Sequence, residues 1–455
     1  MFQKDTKYKG FLVTRFDKIE ELKLNFIELE HEKTKTKIIK IQNDDHENVF
    51  CLGFRTIPSS SNGVAHILEH TVLCGSEKYP VKDPFFSMSR RSLNTFMNAF
   101  TGPDFTLYPA ASCVKKDFFN LLDVYVDAVF FPKLKELSFL QEGWRFELKD
   151  QEALKSLEYA GIVLNEMKGA YGSIDERLYH TLFQHLYPDV SYGVDFGGKP
   201  KEIPNLSHKE LVEFHKTFYA PSRAIFYFYG DIPLEEELDY LEEHVLKNAK
   251  PLKPIAPNLK QARFKEPKEV HIDVPLSQET EDTAIYSLAY LTCPIEDQES
   301  LLGLQLLQTV LMDTDASPLK HALLTSGLCK TASLFLETDM SEIPLVLVLK
   351  GCKEGIKEKV QEFLSVTLEK ICNEGFEKKK IESALHQLEF ERLEISPDYG
   401  PYGLTLCLRS LLLKQHGQDP TLGLKVHSLF NGLREKLKKE PKFLVHLMQK
   451  YMLKN

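Results

Sequence analysis

Residues 63–70 read Gly63-Val-Ala-His66-Ile-Leu-Glu69-His70, and from His66 the run continues to Asp83 as HILEHTVLCGSEKYPVKD. Two imidazoles four residues apart project about 40° from one another and one turn along an α-helix, so both can reach one ion. The polar cluster Ser59, Ser60, Ser61 and Asn62 just ahead predicts a cap for a helix over Val64–Leu73. Glu69 stands beside the metal-facing side and not on it. That place suits a carboxylate that takes the proton of an attacking water, the general-base role in metal-assisted peptide hydrolysis. A catalytic zinc takes three protein ligands and keeps a fourth position open, so a third ligand has to come from elsewhere in the chain.

Upstream, Leu24 to Ile27, Lys37 to Ile41 and Val49 to Phe54 alternate as strands do. Downstream, a second helix is expected over Ser89–Ala99, then a strand over Phe105–Pro109. Helices follow over Lys116–Phe130 and Gly161–Tyr171, and a buried strand over Arg223–Tyr229 (RAIFYFY). Between Lys247 and Pro267 the chain turns Pro- and Lys-rich without periodicity, which predicts a boundary there. The second part restarts with strands at Val270–Val274 and Ala284–Leu291, then helices at Ser300–Met312 and Ser317–Leu324. Strands at Ala332–Leu336 and Leu345–Leu349 precede long helices that run to about Lys414. The order matches the first part at coarse grain. The division expected is 1–250, a linker at 251–267, and 268–455, the second domain being without a metal site; 455 residues exceed what one core commonly serves.

Bulk properties narrow the function classes. An apolar share of 43% with 27% charged residues is that of an ordinary globular chain. The formal charge of −9 argues against a phosphate-backbone binder and for a cationic partner such as a basic peptide, with no nucleic acid and no membrane. Eight cysteines without a CxxC pair fit a reducing compartment. The N-terminal MFQKDTKYKGFLVTRF lacks a signal-peptide core, and Asp5, Asp17, Glu20 and Glu21 are out of place in an organellar leader. A cytoplasmic protein is therefore expected, with an organellar matrix requiring that a leader had been removed.

The H-x-x-E-H order is the inverzincin signature, and the flanking segments carry a closer likeness. Pro84-Phe-Phe86, Ser92–Phe100 (SLNTFMNAF), Thr106-Leu-Tyr-Pro109, Gln141-Glu-Gly-Trp144 and Asn165-Glu-Met-Lys-Gly169 together resemble the pitrilysin/insulinase-type (M16) metallopeptidases. Within them the chain is most similar to the N-terminal half of the presequence-protease branch. The likeness runs from about residue 20 to the end and is densest from 50 to 230. It implies an α+β fold of two similar domains, each a mostly antiparallel sheet packed with helices. It places the third ligand of one Zn2+ on Glu166, beside His66 and His70, with Glu69 as catalytic base. It also implies that Asn98, Ala99 and Phe100 bind unstructured oligopeptides as an added strand; a helix C-cap is the structural alternative for Asn98.

Two departures stand out. Gly102-Pro103 precede Asp104 where the family has a small and a hydroxyl residue, and Tyr159 stands where some branches carry a glutamate seven residues before the third ligand. No residue of the sequence is assigned as partner to the histidines.

Complete members of the branch resemble two joined halves, the second supplying an Arg and a Tyr near the scissile bond. After a helix over Pro441–Tyr451 they continue into a strand where this chain reaches Asn455. The reading is thus the catalytic half of a zinc metalloendopeptidase for short unstructured peptides, weakly active or inactive alone, with a complementary C-terminal half as possible partner. A non-catalytic peptide-binding or scaffold member is the second reading, and a thiol enzyme using Cys74 a third that lacks a His/Asn arrangement.

Overall fold

The computed structural model describes residues 2–149, 156–256, 259–274, 282–396 and 400–454. The chain forms two compact units. One is Met1–Asn258 together with Ile395–Leu424, the other Leu259–Glu394 together with Lys425–Asn455.

In the first unit the strands are β1 (Lys7–Tyr8), β2 (Phe11–Ile19), β3 (Leu24–His31), β4 (Lys37–Gln42), β5 (Asn48–Phe54), β6 (Asn94–Met97), β7 (Phe100–Thr101), β8 (Thr106–Ser112), β9 (Arg145–Leu148), β10 (Leu157–Ala160) and β11 (Ala224–Gly230). Its helices are α1 (Val64–Val72), α2 (Pro84–Arg91), α3 (Lys115–Phe130), α4 (Glu136–Glu142), α5 (Ile162–Ala170), α6 (Ile174–Leu186), α7 (His208–Phe218) and α8 (Leu234–Leu241). The main sheet runs β1-β2-β3-β4-β11-β5-β8-β6, with β7 also on β8. Only the β4–β11 pair is parallel. β9 and β10 form a separate antiparallel pair.

β11 is buried at every residue, as its unbroken apolar run requires. Phe226 and Phe228 face one core, shared with Phe50 and Leu52 of β5 and with α1, α3, α7 and α8. Tyr227 and Tyr229 face the other way, into a second core with Val49, Cys51, Leu404, Cys407 and Leu411. The last three lie in a helix of residues 402–415 from late in the chain. Its Gly403 sits where an added Cβ would be 2.4 Å from the Tyr229 ring, and its carbonyl accepts the Tyr227 hydroxyl at 2.9 Å.

The second unit holds a three-stranded antiparallel sheet β12 (Ala284–Pro294), β14 (Glu342–Cys352) and β13 (Thr331–Leu336), in the order β12-β14-β13. Helices α9 (Gln298–Met312), α10 (Pro318–Thr325), α11 (Lys357–Glu374), α12 (Lys378–Leu393), α14 (Val426–Lys439) and α15 (Phe443–Met448) belong to this unit, and α13 (Tyr402–Gln415) to the first. No helix of the described residues is long and apolar enough to cross a membrane.

The structure departs from the sequence reading at three places. A single cut at 251–267 between 1–250 and 268–455 misses the return of Ile395–Leu424 to the first unit. The apolar side of α13 reads in sequence like any second-domain helix, yet it covers the outer face of the first sheet. Residues 257 and 258 of the expected linker lie outside the described residues; Leu259 and Gln261 are buried, the Gln261 amide donating to Glu342 at 2.6 Å. Second, Ser89–Ala99 is not one helix. α2 ends at Arg91 because the Ser92 hydroxyl accepts the Asn94 amide at 3.2 Å and the Asn94 side chain at 2.7 Å, local bonds that compete with the helix. β6 then starts at Asn94. Third, Val270–Val274 forms no strand; Val270 and Ile272 are exposed and carry no ladder.

The first unit encloses a lysine–carboxylate pair completely. Lys40 of β4 donates to Glu237 of α8 at 2.7 Å and to the Ile232 carbonyl at 2.9 Å, with both side chains at 0% exposure. Removing one partner of such a pair strands the other charge, whereas replacing both by apolar groups is near neutral. Lys40→Met should therefore cost about 3–5 kcal/mol in urea unfolding, and Lys40→Met with Glu237→Leu should regain most of it. Additive losses in the double variant would show that the pair is not coupled.

Candidate metal centre

α1 is held by its apolar side: Ala65, Ile67, Leu68 and Val72 are completely buried. This turns His66 and His70 together to the opposite flank, their rings 5.1 Å apart. At its start Gly63 takes a left-handed φ of 71°, and Asn62 Oδ1 accepts the Val64 amide at 3.2 Å. The N-cap is thus Gly63, with no side-chain cap bond, and the polar cluster acts one residue earlier, through the turn that Asn62 closes.

α5 brings the distant carboxylate. Val163, Leu164 and Met167 anchor it, leaving Glu166 on the side that meets α1. Glu166 Oε2 lies 3.7 Å from His66 Nε2 and 3.9 Å from His70 Nε2. One ligand atom from each of His66, His70 and Glu166 falls within 4.8 Å of the others, and no other such cluster occurs among the described residues. Zinc bonds of 2.0–2.2 Å in tetrahedral geometry set ligand atoms about 3.4 Å apart; Glu166 Oε2 stands only a few tenths of an ångström beyond that from each imidazole, and the whole set, within 4.8 Å, closes on an ion by side-chain shifts of about an ångström. The half-exposed Glu166 side leaves room for a fourth, non-protein position.

Glu69 is buried, and its Oε2 accepts the Thr101 hydroxyl at 2.5 Å. Behind it the buried Tyr108 and Tyr219 hydroxyls bond one another at 2.9 Å. Burial, with the Glu69 charge adding to it, holds both phenols well above their ordinary range. They stay protonated and uncharged.

The outer partners of the histidines, unassigned in the sequence, are Glu142 and the Gly197 carbonyl. His70 Nδ1 lies 3.3 Å from Glu142 Oε2, and His66 Nδ1 lies 3.1 Å from Gly197 O. Glu142 ends α4, and Gly143 packs so closely on Gly161 that a Cβ on Gly161 would be 2.0 Å from the Gly143 carbonyl. That approach sets Glu142 beside α5. Burial opposes charge on His70, yet the Glu142 hydrogen bond and the nearby Glu69, Glu142 and Glu166 carboxylates hold it above its ordinary value. Burial works the other way on Glu142, and the bonds from His70, Gln141 and Cys74 hold it below the usual range. Cys74 Sγ sits 3.5 Å from Glu142 Oε1, and burial pushes its thiol far up. A protonated thiol in that place is a poor nucleophile.

Asn98 and Ala99 link β6 and β7 at the sheet edge, beside α1, and Phe100 opens β7. Asn98 is not a helix cap: its amide donates to Pro109 O at 3.2 Å and its carbonyl accepts the Tyr125 hydroxyl at 3.2 Å. β7 stops at Thr101, where the Gly102 amide turns onto Phe105 O at 2.8 Å. Tyr159 lies outside the cluster, packed on Phe146 and Trp144. A glutamate already quoted in Gln141-Glu-Gly-Trp144 carried the signal for Glu142; Thr101 and Gly197 gave none.

A family model described as Insulinase (Peptidase family M16) matches residues 49–162, and one described as Peptidase M16 inactive domain matches residues 205–388. Protein HypA of Clostridium perfringens is 37% identical over 100% of this chain, the mitochondrial presequence protease of Xenopus laevis 39% over 98%, and presequence protease 1 of Arabidopsis thaliana 38% over 100%. The chain spans 47%, 44% and 43% of their respective lengths. Among solved structures, a protease from Helicobacter pylori superposes with a TM-score of 0.68 at 17% identity, covering 94% of this chain and 96% of that one. Pitrilysin superposes at 0.62 and 15% identity over 95% of this chain and 45% of its own. These likenesses establish the shared α+β fold.

Glu142→Ala should weaken divalent-metal binding about 10–100-fold in chelator competition, the usual loss when a histidine ligand's outer partner is removed. Unchanged affinity would leave Glu142 without a role at the centre.

Proposed function

The chain belongs to peptidase family M16, and on that premise we propose that it is the zinc-bearing half of a metalloendopeptidase that cleaves short unstructured peptides. The observation that supports this most is the meeting of His66, His70 and Glu166 within 4.8 Å, with Glu69 alongside. In this reading the three hold one Zn2+. Zinc, when bound, polarises the scissile carbonyl and acidifies water. Glu69 takes the water's proton and passes it on to the leaving amine. Thr101 occupies one oxygen of Glu69, which leaves the other for that transfer. The outer residues have a part as well: with Nδ1 of each histidine engaged by Glu142 or Gly197, the Nε2 atoms would be the ones left to hold the ion.

Peptide substrate would add to the open edge at β6 and β7, with Asn98, Ala99 and Phe100 supplying side-chain and backbone contacts. Main-chain pairing of that kind favours extended, unfolded segments over particular sequences. The relatives are about twice as long as this chain, and a complementary C-terminal half would supply the groups that stabilise the tetrahedral oxyanion. One such donor is worth about 10²–10³ in turnover.

Zinc titration of the purified chain should reach one ion per chain, and His70→Ala should abolish it. Glu69→Gln should keep the zinc and lose hydrolysis of an unstructured peptide, assayed with the complementary half added in trans. Hydrolysis by Glu69→Gln at the native rate would sink the assignment of the base. Peptide affinity that is unchanged in a zinc-free chain without turnover would favour the scaffold reading instead.

A further inference from the structure

One buried carboxylate bonds the end of α5 and, through the turn it closes, the segment that enters α1. Asp195 opens the stretch Asp195-Phe-Gly-Gly-Lys199 and is 4% exposed. Its Oδ1 accepts the Gly198 amide at 3.0 Å, and its own amide donates to Ser61 Oγ at 3.1 Å. The Lys199 amide donates to Ser61 O at 2.8 Å. These bonds lay the stretch along the entry to α1, where Gly197 O meets His66 Nδ1. On its other side, Asp195 Oδ2 accepts the hydroxyl of Tyr171, the residue that ends α5 five positions after Glu166, and lies 3.4 Å from His180 Nδ1.

The approach is close enough to exclude side chains. Gly63 and Gly198 both have left-handed φ, and a Cβ on Gly198 would lie 2.7 Å from Gly63 Cα. A ring whose Nδ1 faces a fixed carbonyl is held in one tautomer and one orientation, and such outer contacts set how well a histidine ligates. Here the carbonyl is fixed by the Asp195 turn, and the same carboxylate fixes the end of the helix that carries Glu166.

Resting on the metal-centre reading above, we propose that Asp195 is a positioning residue that clamps α1 to α5 and so sets His66 against Glu166 before metal arrives. It touches no ligand atom. Its effect passes through Gly197 on one side and Tyr171 on the other.

The test is zinc affinity by chelator competition on the full chain, with the cobalt-substituted absorption spectrum as a reporter of ligand geometry. Asp195→Ala should lower affinity roughly 10–100-fold and alter the cobalt spectrum. Asp195→Asn keeps an oxygen for the Gly198 amide and should recover most of the affinity. Leu241→Ala, a cavity in the same unit away from the site, should lower the melting temperature without moving zinc affinity. If Asp195→Ala fails to fold, Tyr171→Phe removes the α5 arm alone and should still weaken zinc about threefold or more. Native zinc affinity in the folded Asp195→Ala chain, or in Tyr171→Phe, overturns the clamp. Equal loss in Leu241→Ala overturns it too, by reducing the effect to general destabilisation. A wild-type chain that binds no zinc removes the metal-centre reading itself, and this inference with it.

Discussion

Three carboxylates, Glu69, Glu142 and Glu166, crowd around two imidazoles at one face of α1, and the rest of the first unit is arranged to keep them there. Like charges at this spacing repel, and burial adds a cost for the two that are enclosed. The fold answers with a specific donor for the two buried ones. Thr101 serves Glu69, and His70, Gln141 and Cys74 serve Glu142. Glu166 stays half in water. The raised His70 shows the balance: surrounded by negative charge, the cluster favours a proton and by the same electrostatics a cation.

Holding that cluster needs a rigid base, which the sheet provides. β5 and β11 are buried along their whole length, and α1 rests on one side of them through residues with no solvent contact. The neighbouring β8 is equally buried, while β6 and β7 beyond it are short and partly open. The sheet therefore ends beside the metal face in an edge that has backbone groups to offer. The hydroxyl that restrains Glu69 belongs to the second residue of β7, so base and edge are mechanically one piece.

The ligand geometry was legible in the sequence because it follows from helix periodicity. His66 and His70 at i and i+4 fix their own relation, and Glu69 between them fixes its place. Glu166 was not legible by spacing, since nearly a hundred residues separate it from His70 and nothing local distinguishes it from a solvated helical carboxylate; resemblance alone singled it out. The strands of the first sheet could be read from apolar runs such as Ala224–Gly230. Ser89–Ala99 failed because two short side chains, Ser92 and Asn94, end a helix whose apolar spacing suggests it should continue. Glu142, Gly197 and Asp195 work through contacts between distant segments, two of them involving backbone atoms, and periodicity carries no trace of such contacts.

α13 reaches the first sheet only after the chain has passed through most of the second unit. Until residue 415 has been made, the face bearing Tyr227, Tyr229, Val49 and Cys51 has nothing to cover it. An emerging first unit thus carries a broad aromatic and aliphatic surface into solution, the kind that invites self-association. Synthesis order and completion of the fold are out of step by some 150 residues, the interval between Asn258 and Tyr402. A chaperone would shield that surface while the ribosome catches up.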